Sequence, residues 1–225
     1  LFLGAIVLAL GSGLMLSHIA GTGSFVETAA RIAASERLYR GMLSIAVLVT
    51  LSSALLAFAL YRVLKIVNGE LALLAMIFCL ADSVVALVVR MCGFVRLHLY
   101  LAALGPGADA GGLERLSDLM RTIAGTTENL GGIAFGIGSA IFFSLFLRSR
   151  YMPSWISMLG VVGSVLWTAL YFAGLIFPER HGLFQMICFP PMLLAEILAG
   201  GYLLFFAMRP SDGDEADAVE MGSRG

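Results

Sequence analysis

The chain has 225 residues, of which 60% are apolar and only 13% charged, and its mean hydropathy is +0.95. A soluble domain is nearer half apolar and a quarter charged, so this composition leaves no water-soluble domain of useful size. The net charge of −1 argues against nucleic acid as a partner, because no basic face exists to neutralise phosphates.

A helix needs about 20 apolar residues to cross the hydrocarbon of a bilayer. Six stretches qualify: Leu1–Ala20, Gly41–Leu60, Leu71–Met91, Leu130–Leu147, Trp155–Phe177 and Phe184–Met208. All must be helices. Lipid cannot satisfy open backbone groups, and the runs are too continuous for the alternation of a barrel. The expected fold is therefore all-α, a polytopic integral membrane helical bundle of about six transmembrane helices over residues 1–210. Its first stretch lacks a basic leader region and an Ala-x-Ala cleavage site, so it reads as a spanning helix and not a signal peptide.

Between the first two stretches, Phe25–Leu38 has the spacing of a short amphipathic helix. A glycine-rich break from Gly105 to Gly112 follows the third stretch. After it, Leu113, Leu116, Met120 and Ile123 recur at helical spacing, with Glu114, Arg115 and Asp118 on other faces. That pattern predicts a second short helix lying at the membrane interface, on the same side as the first. Residues 211–225 carry five acids and no apolar period, so they read as an acidic disordered tail.

Orientation rests on Lys and Arg in short loops. Arg62, Lys65, Arg148, Arg150 and Arg209 flank the span ends on one side, and Arg31, Arg37, Arg40, Arg96, Arg115, Arg121 and Arg180 lie on the other. The raw count favours the second side. The first side has far shorter turns with charges against the span ends, which places both termini in the cytoplasm.

Two acids, Asp82 and Glu196, stand near the middle of apolar stretches. A carboxylate at the bilayer centre costs several kcal/mol on insertion scales, so each needs a partner or a proton. With Ala75, Cys79, Ala86 and Arg90, Asp82 forms a small, polar stripe at i, i+3, i+4 spacing that should face other helices. Halfway positions would set the two acids at similar depth, and if they meet they resist simultaneous ionisation. One reading is a site that binds or moves a small solute, ion or proton. The other is internal glue, with each acid bonded to Ser53, Ser83, Thr168 or a backbone carbonyl of a neighbouring helix. Arg90 and Glu128 end and begin adjacent spans, so an ion pair between them is expected near the interface.

Pro190 and Pro191 lack backbone N–H groups one and a half turns before Glu196, which predicts a helix kink beside that acid. Gly132 and Gly136 form a small-xxx-small face for helix packing. Catalytic templates fail: Gly136-Ile137-Gly138-Ser139 is not a nucleophile elbow, and His18, His98 and His181 lie at span ends or in loops. Cys79, Cys92 and Cys188 have no metal-ligand spacing and read as small hydrophobes. No metal, cofactor or enzymatic activity is expected; the partners are the lipid bilayer and a small-molecule or ion ligand.

The run from Leu56 to Leu71, with Leu60-Tyr61-Arg62 leading into Asn68-Gly69-Glu70-Leu71, resembles a bacterial membrane family. So does Phe146-Leu147-Arg148-Ser149-Arg150 through Pro153-Ser154-Trp155. The family is that catalogued as domain of unknown function 4386, and the likeness covers most of Arg31 to Met208. The resemblance implies a six-helix protein of the bacterial inner membrane. It implies no activity and supplies no site residues.

Overall fold

A computed structural model describes residues 2–21, 23–177 and 181–206, which form seven α-helices. They are α1 (Phe2–Ala20), α2 (Phe25–Ala34), α3 (Glu36–Leu64), α4 (Gly69–Ala102), α5 (Ala110–Ser149), α6 (Ser154–Ile176) and α7 (His181–Phe206). The acidic tail, Arg180, Arg209 and the side chain of Cys188 lie outside the described residues.

Local chemistry sets the helix ends. Asn68 starts α4 by accepting the Leu71 N–H at 3.0 Å, and Asp109 starts α5 by accepting the Gly112 N–H at 3.1 Å. Arg150 closes α5 in the left-handed region (φ 56°), its N–H reaching the Phe146 carbonyl, and Pro153 then precedes α6. At α2, Ser24 and Glu27 exchange side chain-to-backbone bonds of 3.3 and 3.0 Å, a capping box. Ser24→Ala should therefore cost about 1 kcal/mol. Unfolding in detergent checks this, and a change near zero would mean that α2 is held by packing alone.

Two sequence expectations need correction. Leu113–Ile123 is not a separate interfacial helix but the first third of the 40-residue α5. No proline or strong cap follows Ile123, and α5 gains a partner along that length because α4 also runs on past Met91 to Ala102. Arg96 ties the two extensions together, donating to Ser117 Oγ at 3.3 Å and to Tyr100 Oη at 2.7 Å. The helix expected over Phe25–Leu38 ends at Ala34, because Ser35 leaves helical geometry (ψ 28°) and a new helix begins at Glu36. α2 and the start of α5 do lie on one side: α2 packs on α4 and α5, and its Ala29 and Ile32 share a small core with Tyr39, Leu43, Leu97 and Tyr100.

The longer helices close into a ring. α1 packs on α3, α3 on α4, α4 on α5, α5 on α6 and α6 on α7, and α7 touches α1. Glycines set the closest approaches. A methyl on Gly138 would lie 2.9 Å from the Ala75 carbonyl oxygen of α4. Gly132 and Gly136, the expected packing face, lie against Tyr171 and Thr168 of α6. Gly163 of α6 receives the α7 backbone, with Met192 Cα 3.2 Å from where its methyl would stand. α7 runs as continuous helix through Pro190 and Pro191.

The outer face of the ring is apolar. Leu55, Val84 and Val165 are more than half exposed, as are Leu130 and Trp155. Side chains of that kind suit a hydrocarbon surround and not water. Among the described residues, α3, α4, α5 and α6 are long and apolar enough to cross a membrane, and α7 contains a shorter apolar run, Phe189–Leu204.

Candidate functional site

A cavity of about 270 Å³ lies between the five helices α3 to α7. Asp82, Ala86 and Arg90 line it from one face of α4, each one turn from the next, and Ser83 stands beside Asp82. Thr50 and Ser53 come from α3, Glu128, Gly131 and Phe135 from α5, Trp167 and Tyr171 from α6, and Phe189, Met192 and Glu196 from α7. The residues expected from sequence to mark a polar site, Asp82, Ser83, Arg90, Glu128 and Glu196, thus all face one space.

Glycine on α5 makes room for Asp82: a methyl at Gly131 would sit 2.9 Å from Asp82 Oδ1. Neither the Asp82 nor the Glu196 carboxyl takes a hydrogen bond or ion pair from any described residue. The hydroxyls nominated as partners are engaged elsewhere. Ser53 Oγ donates to the Val49 carbonyl at 3.2 Å and Ser83 Oγ to the Cys79 carbonyl at 3.0 Å, as Thr50 Oγ1 of the cavity wall does to the Ala46 carbonyl at 3.0 Å. Thr168 likewise donates to the Ser164 carbonyl at 2.9 Å. Each is a bond back to the preceding turn of its own helix. On the cavity wall two buried donors, Arg90 Nε and Trp167 Nε1, have no acceptor among the described residues.

Arg90 and Glu128 share the cavity but form no ion pair. The helix register explains this. Gly131 meets Asp82 and Ser117 meets Arg96, which places Glu128 level with Val85, five residues short of Arg90. At 1.5 Å per residue that offset is about 7 Å, and Glu128 is exposed at the cavity rim. The expectation of equal depth for the two acids is also corrected. Asp82 lies level with Gly131, whose neighbour Gly132 meets Tyr171; Glu196 lies one turn past Met192, which meets Gly163. Glu196 is therefore roughly three turns nearer the short α3–α4 and α5–α6 turns. Midpoints of apolar stretches mislead because the helices are staggered and differ in length.

An aromatic wall completes the site. The Trp167 ring lies 6.0 Å from Phe135, 5.0 Å from Tyr171 and 5.7 Å from Phe189, centroid to centroid. Sequence reasoning missed these four residues and Gly131. Mid-span aromatics suit lipid and interior equally, so only their convergence from three helices reveals them. Among the described residues, no three His, Cys, Asp or Glu side chains are gathered to hold a metal ion.

The arrangement offers carboxyls within reach of a small ligand, a guanidinium at a distance, and a broad π surface. No curated protein and no solved structure matches the chain. Residues 1–207 match the family described as Domain of unknown function (DUF4386), and the chain belongs to that family.

Proposed function

We propose that this chain is a multi-pass protein of the bacterial inner membrane that binds, and moves across the bilayer, a small polar solute or proton. Six spans over residues 1–210 form the transmembrane domain. Both termini face the cytoplasm. Asp82 and Glu196 are stations along the path, Ser83, Arg90 and Glu128 complete the polar wall, and the prolines Pro190 and Pro191 shape α7 beside it.

The observation that supports this reading is the state of the two acids. Internal glue requires each carboxyl to be sealed and bonded to a neighbouring helix. Instead both line a cavity of about 270 Å³ and neither takes a hydrogen bond or an ion pair from any described residue. A polar site that the protein leaves unsatisfied suits a ligand, and ionisable groups inside membrane helices commonly mark such pathways.

The test is flux into liposomes containing the purified protein, driven by a proton or sodium gradient. Wild-type protein should carry pH- or sodium-dependent flux that Asp82→Asn reduces by about tenfold or more. Equal flux from both proteins, or none above empty liposomes, would return the acids to a structural role.

A further inference from the structure

The cavity wall carries more acceptors than donors. Thr50, Ser53 and Ser83 each donate their hydroxyl hydrogen to a carbonyl of their own helix. What they retain for a ligand is lone pairs. Asp82 and Glu196 add carboxyl acceptors along the wall, and Glu128 adds another at the rim. Against these stand the Trp167 Nε1–H and the guanidinium of Arg90, whose backbone lies eight residues, about 12 Å along the helix axis, from that of Asp82. Near Asp82 the acceptors outnumber the donors, which suits a ligand that brings its own donors and its own positive charge.

It must also fill an apolar box. Tyr171 lies at the level of Asp82, because Gly131 meets one and Gly132 the other. Trp167 and Phe135 follow within one turn, and Phe189 of α7 packs against Trp167 with its ring tilted by 39°. A bare sodium ion or a proton would use the carboxyls and leave this surface without a purpose. An ammonium is drawn to an aromatic face, most strongly when both are desolvated. The volume corresponds to about nine water molecules at ~30 Å³ each, which limits the ligand to a small molecule.

We infer that the cavity takes a small organic cation, a protonated amine carrying an aromatic or similarly flat apolar group. The ammonium sits by Asp82 and the body packs on Trp167. This inference rests on the reading of the cavity as a ligand site and specifies the class of ligand.

The experiment is a thermal-stability titration of the purified full chain in detergent at constant ionic strength. The probes are 2-phenylethylammonium, 2-phenylethanol, 3-phenylpropionate and sodium chloride alone. The ammonium should stabilise the protein saturably, with an affinity at least about tenfold above the alcohol and the anion. Asp82→Asn and Trp167→Leu should each weaken it by about tenfold, and Trp167→Phe, which keeps a π face, should retain most of it. Trp167→Phe also guards against a Leu variant that fails to fold. Saturable binding of the alcohol, the anion or sodium as tight as that of the ammonium, and lost in Trp167→Leu or Asp82→Asn, would overturn the amine assignment while leaving the cavity a ligand site. Absence of saturable binding by every probe would overturn both.

Discussion

Asp82→Asn is expected to leave the unfolding temperature unchanged or to raise it, although the residue lies inside a helix bundle. A buried carboxyl that holds helices together should cost stability when neutralised, because its partners are then left unpaired. Asp82 takes no hydrogen bond or ion pair among the described residues, and Gly131 of the next helix leaves space beside its carboxyl. Removing the ionisable group therefore removes a desolvation cost and leaves no orphaned donor behind. Glu196→Gln should behave in the same way. The contrast with function is the informative part: the same substitution that spares stability should reduce flux by about tenfold or more. Unfolding in detergent checks the first half, and a marked loss of stability in either variant would identify the acid as internal glue.

Gly138→Val should be the most damaging single change in the bundle. The added Cβ would stand 2.6 Å from Cys79 Sγ and 2.9 Å from the Ala75 carbonyl oxygen. The sulfur can rotate away, but a backbone oxygen cannot, and valine adds two further methyls. α4 and α5 would have to separate along their closest contact. Overpacking of this kind costs about 1–3 kcal/mol and sometimes more. Gly125 in the same helix is the control, since a methyl there meets nothing within 4 Å. Gly125→Ala should stabilise α5 by up to about 1 kcal/mol through helix propensity alone. If the two substitutions shift the unfolding transition by similar amounts, the close approach of α4 to α5 is wrong.

Much of this arrangement is legible from residues because the membrane penalises polarity so steeply. Asp82, Arg90 and Glu196 stand out against apolar runs, and the cost of exposing them to lipid is enough to turn them inward. Gly132 and Gly136 announce a packing face for the same reason that small residues suit close helices anywhere in a bilayer. Other features depend on distances between helices, which no single stretch encodes. Leu113–Ile123 looks interfacial in isolation, yet its bond from Ser117 to Arg96 draws it into one helix with the span that follows. Arg90 and Glu128 look like a pair until the register of α4 against α5 sets them about 7 Å apart along the axis. Trp167 is hidden in another way. An aromatic in mid-span carries no sign of which way it faces until Phe135, Tyr171 and Phe189 gather around it.

The most direct test of a water-accessible cavity is thiol labelling at Ala86, which lines it one turn from Asp82. Val84, two residues away on α4, points outward and is 64% exposed on the apolar face. With the protein in liposomes, 2-aminoethyl methanethiosulfonate needs an ionised thiol in contact with water, and lipid denies both. Measured over the background of the native cysteines, Ala86→Cys should react readily and Val84→Cys should stay inert. An Ala86→Cys thiol as unreactive as the one at Val84 would mean that the ring is sealed and that Asp82 faces no accessible space.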